Sequence, residues 1–340
     1  MQLSFILRAA RRCAFAALTV LLVSCGGGGG VGGDSTPGAG GGPAPAGSGR
    51  TGLMTYLRIN KVLAVDMAAG TTRTLFAPDL NRSYVATGVG PNGELAVAYN
   101  SSTTGPTSTL TILRPDGTTE VSTKYSYLIK GQPKFSPDGS KLAFTAGVYQ
   151  NGSIRYFTQM VARSGAELYY FNRFDRPGWT PDGRLVMISE DGKLDLYLSA
   201  AVPTDPLTLI PNSSNIGSFS VRPDGKKIAF SRGVGSAARH IYIMNIDGTG
   251  TAQVTTSYNS EETWVAFSPS GAELLLTSSG CISASDSGET AGDVDRDLIH
   301  IVSADARVLD IRGLANSGAG TRLLDETGST RCTDTNPSWR

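Results

Sequence analysis

A short recurring motif is clearest in the stretch Phe135-Ser136-Pro137-Asp138-Gly139-Ser140-Lys141-Leu142-Ala143-Phe144. The proline sets the backbone angle of the first turn position, the aspartate tolerates the second, and the glycine adopts the positive φ that closes the turn. The apolar residues that follow alternate as they do in a half-buried strand. The stretch therefore predicts a β-hairpin.

The same pattern, an aromatic residue or valine followed by x-Pro-x-Gly, occurs five times, and the spacings between successive glycines are 46, 44, 42 and 46 residues. Each copy precedes a second apolar run, often closed by another turn, and then a fourth short run. Four strands in about 45 residues is the size of one propeller blade. The five copies are Val89–Gly93, Phe135–Gly139, Trp179–Gly183, Val221–Gly225 and Phe267–Gly271.

Two of these stretches, Phe135–Phe144 and Ile241–Gly248, resemble the repeat of TolB-type propellers. In that family W-S-P-D-G-x-x-I-A-F precedes I-Y-x-M-x-x-D-G. The resemblance covers roughly residues 53 to 340 and is weaker where Asn92 and Ser270 replace the motif aspartate. TolB also carries an N-terminal α/β domain, for which we expect no room in this chain. The partners of that domain are therefore not carried over.

The two ends of the folded region complement each other. Residues 53–77 have the pattern of the second, third and fourth strands of a blade, and residues 336–340 repeat the start of the motif. We therefore expect an all-β, six-bladed TolB-like propeller over residues 53–340, closed by the C-terminal strand, with Trp339 buried. The expected blades are 53–79 with 336–340, 84–126, 131–172, 176–211, 215–257 and 262–326.

Residues 1–24 have the pattern of a lipoprotein signal peptide. Three arginines precede the apolar run Cys13–Val23, which is too short to span a bilayer. Leu22–Cys25 resembles the lipobox of bacterial lipoproteins, which implies cleavage before Cys25, lipidation of its sulfur and amine, and anchoring to a membrane. An ordinary secretory signal with a chance cysteine is the alternative. The absence of aspartate after Cys25 favours the outer membrane of the cell envelope, with the periplasmic or surface face left open.

Residues 25–52 comprise the lipidated cysteine and a tether, since 14 of residues 26–52 are glycine and almost none is apolar. The whole chain has a formal net charge of +1. A nearly neutral body lacks the basic patch typical of nucleic-acid binding, so we expect no nucleic acid as a partner.

No catalytic motif is present in the sequence, and we predict no catalytic residues. The two histidines, His240 and His300, lie in separate predicted strands. They cannot build the multi-histidine metal site of the sugar lyases that resemble TolB. No nucleophile elbow, zinc helix, phosphate-binding loop or C-x-x-C pair occurs.

The last unit carries an insertion with two features. Cys281 and Cys332 flank it, and an oxidising compartment favours a disulfide between them, with two free thiols as the alternative. Asp293, Asp295 and Asp297 alternate like the first ligands of a calcium loop. Leu298 stands where that loop has glycine, which favours a solvated acidic loop instead. Calcium is the only cofactor that the sequence suggests.

The loops opposite the Pro-Asp-Gly turns carry aromatic and charged residues of the kind that favours binding surfaces. We predict a non-enzymatic module that binds or scaffolds an envelope protein or glycan. The alternative is a glycan lyase or hydrolase that uses carboxylates in the central channel. The predicted partner-binding residues are Tyr127, Arg173, Arg176, Tyr258, Glu261 and Glu262.

Overall fold

The fold was analysed in a computed structural model of the chain. It describes residues 50–58, 60–101, 107–189, 194–197, 206–210, 216–233, 238–256, 261–279, 297–307, 309–311, 320–322, 332–333 and 337–340. Within these ranges the regular structure is made of 26 β-strands, with no α-helix. No described helix therefore has the length and apolarity needed to cross a membrane.

The described strands form six antiparallel sheets, and the first sheet combines the two ends of the described region in the order β26-β1-β2-β3. Met54 lies opposite Trp339 in the pairing of β1 with β26. The second sheet has the order β4-β5-β6-β7. The strands are β1 (Leu53–Arg58), β2 (Lys61–Asp66), β3 (Thr72–Phe76), β4 (Arg82–Val89), β5 (Leu95–Ser101), β6 (Ser108–Leu113), β7 (Thr119–Tyr125) and β26 (Ser338–Trp339).

The third and fourth sheets follow in the chain. The third has the order β12-β11-β10-β8, with β9 also paired to β10, and the fourth has the order β13-β14-β15-β16. Their strands are β8 (Leu128–Ile129), β9 (Lys134–Phe135), β10 (Lys141–Gln150), β11 (Ser153–Ala162), β12 (Glu167–Asn172), β13 (Phe174–Trp179), β14 (Leu185–Ser189), β15 (Leu194–Tyr197) and β16 (Pro206–Ile210).

The fifth sheet has the order β17-β18-β19-β20, and the sixth has the order β21-β22-β23-β24, with β25 also paired to β23. Their strands are β17 (Ile216–Val221), β18 (Lys227–Arg232), β19 (His240–Asn245), β20 (Ala252–Gln253), β21 (Glu262–Phe267), β22 (Glu273–Ser279), β23 (Asp297–Ser303), β24 (Gly320–Arg322) and β25 (Cys332–Thr333).

The repeated turns form as predicted. In the third sheet the N–H of Gly139 donates to the carbonyl oxygen of Ser136 at 2.9 Å, and Gly139 has a φ of 70°. The Ser136 hydroxyl donates to Asp138 and accepts from the N–H of Lys141, which fixes the hairpin between β9 and β10. Equivalent glycine bonds close the other four motif turns, at Gly93, Gly183, Gly225 and Gly271.

Neighbouring sheets share apolar cores made by the inner and middle strands. Phe135 and Phe144 of the third sheet pack with Leu110 and Tyr125 of the second. The sixth sheet packs on the first in the same way, through Trp264 and Met54 among others. Every sheet shares such a cluster with the next one along the chain. The prediction of an all-β propeller is therefore confirmed.

The inner strand of the third sheet differs from the prediction, which began this unit at residue 131. The sheet already includes Leu128 and Ile129, and the inner edge is divided into β8 and β9. The backbone N–H groups of Lys130 and Gly131 both point at the carbonyl oxygen of Thr145, at 2.9 and 3.3 Å. Two residues facing one partner form a bulge, and this bulge precedes Lys134.

Candidate functional site

The inner strands present one equivalent residue to the propeller centre, namely the residue just before the aromatic residue or valine of each turn motif. We call it the channel position. It is small in five sheets and a lysine in the third. The six residues are Gly88, Lys134, Gly178, Ser220, Ala266 and Ser338. Five of them line one cavity of about 240 Å³, together with prolines of the motif turns, and we call this the turn-side cavity.

A second cavity, of about 340 Å³, lies toward the bulged ends of the inner strands. We call it the loop-side cavity. Its lining includes residues two positions before the channel position, such as Gln132, Arg176 and Trp264. Lys134 lines both cavities. The lysine side chain therefore stands where the two halves of the central channel meet.

The ammonium of Lys134 has only neutral partners among the described residues. Its Nζ donates to Oε1 of Gln132 at 2.6 Å and lies 5.7 Å from the ring centroid of Trp264. Burial, and after it the positive charge of Arg340, lowers the pKa of Lys134 to about 8. The group is therefore mostly a cation at pH 7. No described carboxylate forms an ion pair with it.

One tryptophan and one arginine hold the backbone around this lysine. Nε1 of Trp179 donates to the carbonyl oxygen of Lys134 at 2.9 Å. On the turn side, Nη1 of Arg340 donates to the carbonyl oxygen of Phe135 at 3.4 Å. Burial lowers the pKa of Arg340, and the charge of Glu94 opposes that shift. The turn side of the channel thus holds the cations Lys134 and Arg340 beside aromatic walls, in addition to Arg222, which is bound to Asp224.

The loop-side cavity contains the one carboxylate among the described lining residues of the two cavities, that of Asp175. Burial raises the pKa of Asp175, while the neighbouring charge of Arg176 lowers it. Nε of Arg176 lies 3.5 Å from Oδ2 of Asp175, and its Nη1 donates to the carbonyl oxygen of Ile216 at 2.8 Å. This side therefore combines positive and negative charge, whereas the turn side is positive only.

The predicted partner-binding residues fall into different environments. Arg173 and Arg176 are exposed and line a third cavity of about 290 Å³ with Tyr156. Glu261 is also exposed. Their role in binding a partner stays a prediction.

The structure places two other predicted binding residues in the interior. Tyr127 is 7% exposed because its ring stacks on Tyr125 with centroids 5.1 Å apart and contacts Phe157 edge-on. Glu262 is fully buried, and its Oε2 lies 2.8 Å from Nδ1 of His240. Both residues therefore stabilise the packing of the sheets and do not form part of an accessible surface.

The remaining predicted site residues lie wholly or partly outside the described residues. Only the backbones of Cys332 and Asp297 are described, in β25 and β23, where Cys332 lies opposite Leu298 and Asp297 opposite Thr333. The described part of the chain contains no group of three metal-ligating side chains. The residues outside it are Cys25, Tyr258, Cys281, Asp293 and Asp295.

Lys134 and Trp264 were not predicted from the sequence, although the repeats contain a signal for Lys134. Once the five motifs are superposed, the position before each one is small except at Lys134. A large charged side chain where the other copies have Gly, Ala or Ser is the signal by which this residue could have been found.

No protein-family model and no curated protein matches the sequence. Solved structures do match. TolB from Acinetobacter baumannii is 19% identical with a TM-score of 0.60, over 85% of this chain and 66% of that one. A putative TolB from Agrobacterium tumefaciens is 17% identical with a TM-score of 0.53, over 85% and 94% of the respective chains. A puromycin hydrolase matches at 14% identity and a TM-score of 0.52, over 84% of this chain and 49% of that one. The described part of this chain thus has the β-propeller fold of the TolB structures.

Proposed function

We propose that this protein is a cell-envelope lipoprotein whose propeller acts as a non-enzymatic binding or scaffolding module. In this proposal Cys25 is lipidated and tethers the propeller to the outer membrane. The six sheets are the six blades of one ring, and β26 closes it by completing the first blade. The pairing of Met54 with Trp339 supports closure at this point.

The observation that carries the binding function is a concentration of exposed apolar side chains on the third sheet. Among the described residues, six of the seven large hydrophobic side chains that are exposed belong to this sheet. Four are tyrosines, a residue type that is enriched where proteins bind partners. We call the group the third-sheet surface. Its residues are Val148, Tyr149, Tyr156, Leu168, Tyr169 and Tyr170.

Local structure explains why these side chains are exposed. Strands β10 and β11 are each ten residues long, and their tip turns at Asn151 and Gly152, both at positive φ. Among the described strands, the outer strand β12 pairs with β11 alone. Arg155 and Arg173 line the cavity beside Tyr156. An aromatic surface flanked by arginines suits an envelope protein or a glycan.

The experiment is a pull-down from envelope extract with the protein as bait. We expect one partner to be captured by the wild type and lost by the triple variant Tyr149→Ser, Tyr169→Ser, Tyr170→Ser. Leu80→Ser is the matched control, because Leu80 is fully exposed but lies outside the third-sheet surface. Equal capture by the triple variant and the wild type would contradict the proposal.

Anchoring is tested separately. Cys25→Ser, expressed in a bacterial host, should lose incorporation of labelled palmitate and move from the membrane fraction to the soluble fraction. Sucrose-gradient separation of the two membranes then tests the outer-membrane assignment. Equal recovery of both forms in the membrane would exclude the lipid anchor.

The alternative, a glycan lyase or hydrolase in the channel, receives no support from the described residues. Glycoside hydrolysis uses two carboxyl groups roughly 5–10 Å apart, and the two channel cavities contain Asp175 alone in their described lining. The wild type and Asp175→Asn can be compared for release of reducing or unsaturated sugars. If the wild type releases such sugars and the variant does not, the function is enzymatic and the binding proposal is wrong.

A further inference from the structure

The channel position of the third sheet breaks an otherwise regular pattern. The other five sheets have a small residue there, namely Gly88, Gly178, Ser220, Ala266 and Ser338, and neighbouring residues pack closely against the two glycines. The third sheet instead has Lys134, whose side chain lines both cavities of the channel. A primary ammonium therefore stands at a position where no other described sheet has a charged side chain.

The charge of Lys134 is poorly compensated within the protein. A partly buried ammonium is costly unless it is paired with an opposite charge. Gln132 supplies a neutral oxygen and Trp264 the face of a ring, and both attract a cation more weakly than a carboxylate does. Arg340 adds a second positive charge close enough to lower the pKa of Lys134. An anion from outside the protein would supply the opposite charge that Lys134 lacks.

The two cavities differ in their suitability for an anion. The described lining of the turn-side cavity contains no acidic residue, and its cations are Lys134, Arg222 and Arg340. Arg222 is already bound to Asp224, through Nε to Oδ1 at 2.8 Å. The loop-side cavity holds the carboxylate of Asp175, which repels an anion. The turn side is therefore the side from which an anion approaches.

The walls of the turn-side cavity indicate the chemistry of the rest of the ligand. They carry aromatic rings and the prolines of the motif turns, among them Trp179, Phe219, Phe267 and Trp339. A volume of about 240 Å³ lies below the usual range for drug-sized ligands. Such walls suit an apolar group of modest size. Lys134 is the cation that lines both cavities, and one ammonium compensates a monoanion better than a multiply charged phosphate.

We propose that the central channel binds a carboxylate that carries an apolar group, with the carboxylate on the Nζ of Lys134 and the apolar group between the aromatic walls of the turn-side cavity. The carboxylate belongs either to a small organic acid or to the C-terminal residue of a peptide. This site is separate from the third-sheet surface and does not depend on the proposed function.

The test is calorimetric titration of the purified full-length protein in detergent with two acid–amide pairs. The first pair is N-acetyl-phenylalanine and its amide, and the second is Ala-Ala-Phe and its C-terminal amide. We expect an acid to bind and its amide to bind roughly 10- to 100-fold more weakly, because a charge-assisted hydrogen bond is lost. Binding of both acids indicates a small organic acid as ligand, and binding of the tripeptide acid alone indicates a peptide C-terminus.

Variants separate the role of Lys134 from a general effect on the fold. Lys134→Met should weaken binding of the acid by the same roughly 10- to 100-fold, and Lys134→Arg should retain part of it. Arg222→Met is the matched control, because Arg222 lines the same cavity but is already paired, and its effect should stay within about threefold. Equal binding of acid and amide, unchanged binding in Lys134→Met, or no heat from either acid up to about 10 mM would each overturn the proposal.

Discussion

The indole Nε1 of Trp339 donates a hydrogen bond to the carbonyl oxygen of Thr51 at 3.0 Å, across 288 residues of the chain. The neighbouring Ser338 accepts a hydrogen bond at its hydroxyl from the N–H of Val89 at 3.2 Å. Trp339 also packs in the core shared with the sixth sheet. Two consecutive residues therefore join the first sheet to both of its neighbours.

Trp339→Ala should lower the free energy of unfolding by about 3–5 kcal/mol, because it leaves a large cavity and unpairs the carbonyl group of Thr51. Trp339→Phe keeps most of the apolar volume and should cost less. Urea denaturation of both variants beside the wild type measures the difference. A loss of less than about 1 kcal/mol for the alanine variant would show that β26 contributes little to the sheet.

The lowered pKa of Glu94 predicts that the folded protein loses stability in acid. Burial raises its pKa, but hydrogen bonds from Arg163 and Asn92 outweigh burial and lower the pKa to about 2. Because the folded-state pKa lies below the unfolded value, the contribution is complete above about pH 4.5 and is lost as the pH falls toward 2. The contribution of Glu94 to this decline should be at most about 3 kcal/mol, so unfolding curves at several pH values should show a smaller decline in Glu94→Gln, where only the other carboxylates of lowered pKa, such as Asp224, still act.

Arg163 bridges the second and third sheets. Its Nη1 lies 2.8 Å from Oε1 of Glu94, and its Nε lies 2.6 Å from Oε1 of Glu120. Arg163→Met should cost about 3–5 kcal/mol at pH 7, because it leaves the buried carboxylate of Glu94 without its partner. Arg114→Met, at an exposed turn of the second sheet, is the control and should change stability by less than about 0.5 kcal/mol. Similar effects of the two substitutions would argue against a structural role for the bridge.

The lowered pKa of Lys134 predicts that the stability of the folded protein also depends on pH in the alkaline range. Its folded-state pKa of about 8 lies below the unfolded value of 10.5, so the unfolded chain binds more protons between these two values. Stability should therefore rise as the pH increases from about 8 to 10.5. In the absence of ligand, Lys134→Met should be more stable than the wild type at pH 7, by roughly 1–3 kcal/mol, and the gap should narrow over that window. A wild type that is the more stable protein at pH 7 would contradict this expectation.

The disulfide between Cys281 and Cys332 stays a prediction. Intact mass after thiol alkylation, with and without reductant, should show both cysteines protected until reductant is added. Alkylation of both without reductant would mean free thiols. If the bond forms, its reduction should cost about 2–4 kcal/mol of stability.

The local motif made most of the architecture predictable. Each x-Pro-x-Gly motif forms a turn closed by a bond from its glycine, such as that from Gly139 to Ser136, so the hairpins could be predicted from the sequence. The start of the third sheet at Leu128 could not. Contacts between sheets were harder to predict from the sequence. Tyr127 has the sequence environment of an exposed loop, yet the rings of Tyr125 and Phe157 bury it. A single unit contains no information about which surface the neighbouring unit covers.

The candidate site shows a second reason why sequence-based prediction was incomplete. Arg173 and Arg176 were predicted as binding residues because their residue type is typical of binding surfaces; the structure shows that both are exposed, and their role stays a prediction. Lys134 lies directly before the best copy of the motif and was overlooked, because its meaning depends on comparison with five equivalent positions. Repeats carry such information within one chain, but only after their register is aligned.

The first sheet combines β26 with β1, β2 and β3, and this has a consequence for biosynthesis. While the ribosome extends the chain, β1 lacks an inner neighbour, because the strand that pairs with Met54 and Thr55 is made at the very end of the folded region. Until then the nascent chain displays an open strand edge, which invites pairing with other chains. Premature termination before Ser338 would make that edge permanent. We therefore expect chains that are truncated before Ser338 to be substrates of chaperones and proteases.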